Sequence, residues 1–254
     1  MSLENKVCLV TGGATGIGEA IADRLAELGA TVCVADVDEA GAARVAARVG
    51  GQHWVADVSQ SAQADRFVTE SAERYGRIDA MINNAGIAVP GTVAEMPESD
   101  WQRVLATNLT GVWHGMKFAL PYLRQTRGCI VNMASVQALV GMPGWAAYAA
   151  TKGAIISLTQ QAAVEYGAEG IRVNCLAPGT IMTPMNERIF AEASDPEALI
   201  RNWNTSHALG RFGQPSEVAA AVAFLVGDDA SFITGACLRV DGGLSILGPT
   251  GRAD

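Results

Sequence analysis

Charge is scarce in this chain. Only 17% of its 254 residues are Asp, Glu, Lys or Arg, below the roughly 25% of an ordinary soluble domain. What charge there is leans acidic, with 18 Lys and Arg against 26 Asp and Glu, a net −8. Nucleic-acid binding needs clustered basic residues to displace counterions from phosphates, so no nucleic-acid partner is expected. Cysteine is sparse: Cys8, Cys33, Cys129, Cys175 and Cys237 are odd in number, scattered, and form no C-x-x-C pair. Most fall inside β-like runs, which reads as reduced core thiols in a cytoplasmic protein. The three His, at 53, 114 and 207, lie far apart, so no metal site is expected. Long apolar runs are missing too. The charge-free window 128–151 is broken by Gly141, Pro143 and Gly144, so no membrane span is expected. The first six residues lead straight into a strand-like run, so no signal peptide is expected.

What is plentiful is apolar residues, at 49%, and glycine, at 28. Short β-branched runs begin at Val7, Thr31, Ile78, Cys129, Ile171 and Cys237. Helical segments lie between them, over Gly18 to Leu28, Gln60 to Tyr75, Trp101 to Leu123, Ala147 to Tyr166 and Pro215 to Val226. Strands alternating with helices predict right-handed crossovers and a parallel sheet covered on both faces. No linker or repeat interrupts the pattern, so 1–254 reads as a single α/β domain, doubly wound. Asp241-Gly242-Gly243 ends its core, and Gly248 to Asp254 forms a tail.

Ligands bind such sheets at the carboxyl ends of strands, so the residues after each strand carry the information. After the first come Thr11-Gly12-Gly13-Ala14-Thr15-Gly16-Ile17-Gly18, leading directly into a helix. Glycines there admit a pyrophosphate to the backbone, and the helix N-terminus offers free N–H groups. Read alone, the segment is either a phosphate cradle or a tight strand–helix turn. Asp36 ends the second strand, where a carboxylate accepts hydrogen bonds from an adenosine ribose and repels a 2′-phosphate. Read alone, it is either that ligand or a cap for the helix beyond Asp38. No Arg or Lys stands at Gly13, Ala14 or Thr15, so NAD is expected over NADP. Asp57 and Val58 follow the third strand and are placed at the adenine edge. Asn83-Asn84-Ala85-Gly86 follows the fourth, where small residues let backbone lie against a cofactor.

These segments, with Asn108, Ser135, Tyr148-x-x-x-Lys152 and Pro178-Gly179, resemble the short-chain dehydrogenase/reductase family in its single-domain branch. The likeness covers nearly the whole chain, in order. It implies a Rossmann-type sheet of about seven strands and a catalytic set of Asn108, Ser135, Tyr148 and Lys152. It also implies a cofactor site formed by Gly12, Thr15, Gly16, Ile17, Asp36, Asp57, Val58, Asn84, Ala85, Gly86, Tyr148, Lys152, Pro178, Gly179, Ile181 and Thr183. Chemistry supports those roles. Tyr148 and Lys152, at i and i+4, share one helix face. Lowering a phenol from about 10 to neutral pH takes roughly 4 kcal/mol of preferential phenolate stabilisation. The Lys152 ammonium and an oxidised nicotinamide supply it together, and no carboxylate in 128–151 neutralises that lysine. Tyr148 then takes the alcohol proton, Ser135 holds the substrate oxygen, and Asn108 binds a water linking Lys152 to solvent.

The segment from about 183 to 210 is the one long insertion between core elements. It reads either as a lid over the substrate or as a pair of surface helices. Pocket candidates are Gln137, Met142 and Trp145 beside Ser135 and Tyr148, Met185 and Trp203 from the insertion, and Val89 opposite. This mostly apolar set suits a hydrophobic aliphatic, cyclic or aryl secondary alcohol or its ketone better than a free sugar. Three functions compete: an NAD-dependent alcohol dehydrogenase, a 3-oxoacyl-[acyl-carrier-protein] reductase, and a non-catalytic NAD-binding regulator. Asp36 and the acidic balance disfavour the second, and the complete catalytic set disfavours the third. The resemblance further implies a homotetramer or dimer. One interface would use the long helices 101–123 and 147–166, the other the helix from Pro215 and the last strand.

Overall fold

Short β-branched runs can bury both faces only when helices cover both sides of one parallel sheet. The computed structural model, which describes residues 2–248, has that arrangement. The strands are β1 (Val7–Thr11), β2 (Thr31–Asp36), β3 (Gln52–Val55), β4 (Ala80–Asn83), β5 (Cys129–Met133), β6 (Arg172–Pro178) and β7 (Cys237–Val240). They pair in the order β3-β2-β1-β4-β5-β6-β7, and every pair is parallel. The direction of winding reverses between β1 and β4, the switch point where such sheets bind ligands. Of the expected tail, residues 249–254 lie outside the described residues.

The helices are α1 (Gly16–Glu27), α2 (Glu39–Val49), α3 (Ser61–Tyr75), α4 (Glu98–Leu105), α5 (Gly111–Thr126), α6 (Ala146–Tyr166), α7 (Pro184–Ala191), α8 (Pro196–Thr205) and α9 (Pro215–Val226). Their ends follow local chemistry. Asp38 caps α2 by accepting the Gly41 N–H, and Gly50 closes it at a φ of 66°. Pro215 opens α9, with Gln214 and Glu217 in a reciprocal capping box. One core gathers Ile21, Leu25, Val45 and Val222 beneath α1, α2 and α9. The other gathers Phe67, Leu123 and Ile155 beneath α3, α5 and α6. Cys8, Cys33, Cys129 and Cys175 are buried in these layers, and burial pushes the Cys33 thiol up to about 12. No helix among the described residues is long and apolar enough to cross a membrane.

Two elements depart from the sequence pattern. β3 is Gln-His-Trp-Val, without an apolar run, because it is the edge strand and stays partly exposed. The helix expected unbroken from Trp101 to Leu123 is interrupted by a π turn over Ala106–Thr110, which leads directly into α5. Such a bulge inserts one residue into the hydrogen-bond ladder. Immediately after it, Gly111 lies so close to Val58 that a Cβ would sit 2.6 Å from its Cγ2.

Candidate active site

The turn between β1 and α1 is built on glycines that geometry requires. Gly12 and Gly16 have left-handed φ values of 64° and 59°. A Cβ on Gly12 would lie 2.7 Å from Ala85 Cα, and one on Gly18 would overlap the Gly12 carbonyl oxygen. Thr15 occupies the N-cap of α1 without a side-chain bond, so the first N–H groups of that helix remain available. Thr11 Oγ1 accepts the N–H groups of Asn84 (3.1 Å) and Ala85 (3.2 Å). The Asn84 amide donates back to the carbonyls of Thr11 and Gly12. Asn84 thus ties together the two loops at the switch point, while its neighbours Ala85 and Gly86 stay small.

Asp36 is not the cap of α2, which is Asp38. Its carboxylate accepts the Ala14 N–H and the Asp38 N–H, each at 3.0 Å, and so braces the glycine turn while facing the same cleft. Asp57 is braced likewise by the Ser59 N–H at 2.9 Å.

A cleft of about 630 Å³ runs along the carboxyl ends of β1, β2, β4, β5 and β6. Every residue named above for the cofactor lines it, from Gly12 and Asp36 through Gly86 to Ile181 and Thr183. So do Ser135, Gln137, Met142, Trp145, Tyr148, Met185 and Trp203. Val89 does not, and Ile87 and Ala88 form the wall in its place. Thr183 caps α7 through a 3.4 Å bond from the Asn186 N–H, and its methyl side faces Gly16.

At the wide end, β5 and α6 bring the reactive groups together. Lys152, 3% exposed, donates to the Met133 carbonyl at 2.7 Å and sits 5.4 Å from the Tyr148 ring centre. Burial lowers its pKa from 10.5 to about 8. Ser135 follows β5, accepts the Gln137 N–H at 3.2 Å, and lies beside the Tyr148 phenol. Burial raises Tyr148, and the Ser135 hydroxyl opposes that rise. Gln137 Oε1, one of two such atoms among the described residues, is buried here with no hydrogen-bond partner.

Asn108 is fully buried and lies beneath the cleft wall, not on it. Its Oδ1 accepts the Ile87 N–H at 2.8 Å, and its Nδ2 donates to the Ile87 carbonyl and to Thr151 Oγ1. The side chain pins the loop after β4 beside Gly86. Asn108 belongs to the π turn, the kind of bulge in which a backbone carbonyl loses its usual donor.

Val37, Thr180 and Arg188, which the sequence does not single out, also line the cleft wall, and His207 lies behind it. The wall residues adjoin motif positions, a signal that was present. His207 had none, because its partners lie on other segments.

The cleft fits a dinucleotide. The glycine turn leaves room only for a ligand against backbone, the uncapped α1 suits a pyrophosphate, and Asp36 suits a ribose. A family model described as Enoyl-(Acyl carrier protein) reductase matches residues 12–245. Meso-2,3-butanediol dehydrogenase of Serratia marcescens is 42% identical over 246 residues, covering 96% of each chain. 3-Oxoacyl-[acyl-carrier-protein] reductase of Thermotoga maritima is 40% identical over 252 residues, covering 97% of this chain and all of that one. The solved structure of 3-ketoacyl-(acyl-carrier-protein) reductase from Brucella melitensis complexed with NADH superposes with a TM-score of 0.89 at 35% identity, over 96% of this chain and 100% of that one. With a seven-stranded doubly wound sheet, a glycine-lined cleft and a Ser–Tyr–Lys cluster at its wall, the chain belongs to the short-chain dehydrogenase/reductase family and is an oxidoreductase of CH–OH groups that uses a nicotinamide cofactor.

Proposed function

We propose that the enzyme interconverts a hydrophobic secondary alcohol and its ketone with NAD, acting from Ser135, Tyr148 and Lys152. The observation that carries this reading is their meeting at one end of the glycine-lined cleft, with Ser135 beside the Tyr148 phenol and Lys152 beside its ring. When bound, the dinucleotide supplies the hydride acceptor and, oxidised, a positive charge. Ser135 Oγ and the Tyr148 hydroxyl together hold the substrate oxygen. Tyr148, once deprotonated, accepts the alcohol proton, and the Lys152 ammonium stabilises the phenolate. Gly86 keeps this corner open, since a Cβ there would lie 3.3 Å from Asn108 Oδ1 and 3.7 Å from Lys152 Nζ. Asn108 positions that loop and would hold a water linking Lys152 to solvent, the path for proton release.

Asp36 supports NAD over NADP, because a 2′-phosphate beside it would meet a carboxylate. Arg44 reaches the same loop, but its guanidinium is engaged with Glu19 (2.7 Å) and the Ala14 carbonyl (2.9 Å). Met142, Trp145, Met185 and Trp203 make the substrate wall apolar, and the unpaired Gln137 amide oxygen accepts one hydrogen bond from a substrate. α7 and α8 act as the lid. Phe190 anchors them by stacking on Phe212 at 5.4 Å with Trp203 edge-on, while Met185, Ile189 and Trp203 face the cleft. The enzyme assembles as a homotetramer or dimer, and a cytoplasmic NAD pool suits its reaction.

The test is twofold. Steady-state rates should favour NAD over NADP by at least about tenfold in kcat/KM, about 1.4 kcal/mol. Tyr148→Phe should abolish turnover while NADH still binds. Retained turnover in that variant would sink the assignment. The second reading, reduction of a 3-oxoacyl thioester on an acidic carrier, draws on the 40% relative and on Arg103 and Arg188 in the cleft wall. Efficient NADPH-dependent reduction of such a thioester would favour it.

A further inference from the structure

His207, just past the end of α8, is 3% exposed, and both of its ring nitrogens are engaged. Nδ1 lies 2.7 Å from the Trp203 carbonyl, which can only accept, so Nδ1 carries the proton. Nε2 is then a lone pair, and it receives the Thr180 backbone N–H at 3.1 Å. Both bonds demand the same neutral tautomer. The ring is also closely seated. A Cβ on Gly179 would come within 3.0 Å of Nε2, one on Gly242 within 3.4 Å of Cδ2, and Phe212 meets the ring edge-on at 6.1 Å.

The two bonded partners belong to different parts of the cleft. Trp203 is on α8 and contributes to the apolar wall, whereas Thr180 lies in the turn after β6 with Ile181 and Thr183. Substrate and nicotinamide must be held in register to within a fraction of an ångström for hydride transfer, and rigid linkage between their walls provides that. We infer that His207 is a positioning residue that locks the substrate wall on α8 to the nicotinamide turn, so that the two ligands are aligned through one imidazole. This rests on the reading of that end of the cleft given above.

Amide side chains separate the two bonds. His207→Asn keeps an N–H donor near the Nδ1 position and loses the acceptor for Thr180. His207→Gln keeps an acceptor near the Nε2 position and loses the donor to Trp203. His207→Leu loses both. Each purified variant is assayed for kcat and alcohol KM with NAD, for NADH affinity by nicotinamide fluorescence, and for Tm. The Gln variant should raise alcohol KM by about fivefold or more, the worth of one hydrogen bond, with NADH affinity kept. The Asn variant should weaken NADH binding and kcat by a similar factor, with KM kept. The Leu variant should do both; where it does not fold, the amide pair decides alone. Absence of that opposed split overturns the inference, whether nothing moves or all parameters fall together in step with Tm. Tyr148→Phe is run beside them: if it keeps its turnover, the site reading fails on separate grounds.

Discussion

Lys152 keeps an ammonium where burial disfavours it, and this has a measurable consequence for stability. Its folded pKa is about 8 against 10.5 for the free side chain. Below pH 8 both folded and unfolded chains hold the proton, and the burial cost is fully present. Between 8 and 10.5 the unfolded chain holds a proton that the folded one has lost, so this group's contribution to stability rises with pH. The gap of about 2.5 units corresponds to about 3 kcal/mol. Lys152→Met removes that cost and also loses the bond to the Met133 carbonyl, worth about 1 kcal/mol. Urea unfolding should therefore show the variant about 2 kcal/mol more stable than wild type at pH 7, with the advantage shrinking towards pH 10, and without activity. The same corner sets the pH profile of alcohol oxidation. Tyr148 is raised by burial and pulled back by Ser135, so kcat/KM should climb on the alkaline side as the Tyr148–Lys152 pair loses one proton. Ser135→Ala should move that limb to higher pH, besides lowering the rate. A limb that stays in place would show that the Ser135 hydroxyl does not tune the phenol.

Among the elements, the glycine turn and the loop after β4 divide binding from folding. Gly12 needs a left-handed φ and lies against Ala85, so Gly12→Ala should lose more than about 1 kcal/mol of stability as well as cofactor affinity. Gly86 needs no left-handed φ, and its Cβ would lie at an ordinary 3.7 Å from Lys152 Nζ and a tighter 3.3 Å from Asn108 Oδ1, which would have to give by a few tenths of an ångström. Gly86→Ala should fold with a nearly unchanged urea midpoint yet bind NADH at least about fivefold more weakly, since its methyl occupies the cofactor corner. NADH titration and urea unfolding on the same samples distinguish the two glycines. Equal loss of stability in both variants would contradict this division. The glycine turn, Asp36 and the Tyr148–Lys152 pair were legible in the sequence because each depends on local spacing after a strand or along one helix. β3 has no apolar run of its own, since an edge strand needs none, and was legible only as the strand ahead of Asp57. The π turn was not, because one extra residue in a helix leaves no periodic signature. Asn108 was found by its place in a motif, but its partners Ile87 and Thr151 come from other segments, so its side-chain role became visible only in the fold. His207 escaped for the same reason, as its partners Trp203 and Thr180 belong to separate elements.

For the whole molecule, the scarcity of charge bears on the surfaces left apolar outside the cleft. Trp113 on α5 and Val164 on α6 are 45% and 81% exposed, in the layer on one side of the sheet. Phe224 on α9 and Leu238 on β7 are each 37% exposed, on the opposite layer and its edge strand. The alanine-rich stretch of α9 divides its labour, with Ala219 and Ala223 buried against their own core and Phe224 turned outward. We propose that these exposed side chains, on separate faces, seat two isologous contacts, which would together close a tetramer of dihedral symmetry. A stable contact buries about 800 Å² per partner, and a charge placed at its centre without a counter-charge is strongly unfavourable. Sedimentation of the wild type should give a mass near four times the 26.4 kDa chain. Val164→Glu should halve it by breaking the α5–α6 contact, Phe224→Asp should halve it by breaking the α9–β7 contact, and the double variant should run as a monomer. Since the cleft is built within one chain, each species should still bind NADH, and a wild type sedimenting as a monomer would refute the assembly while leaving the site untouched.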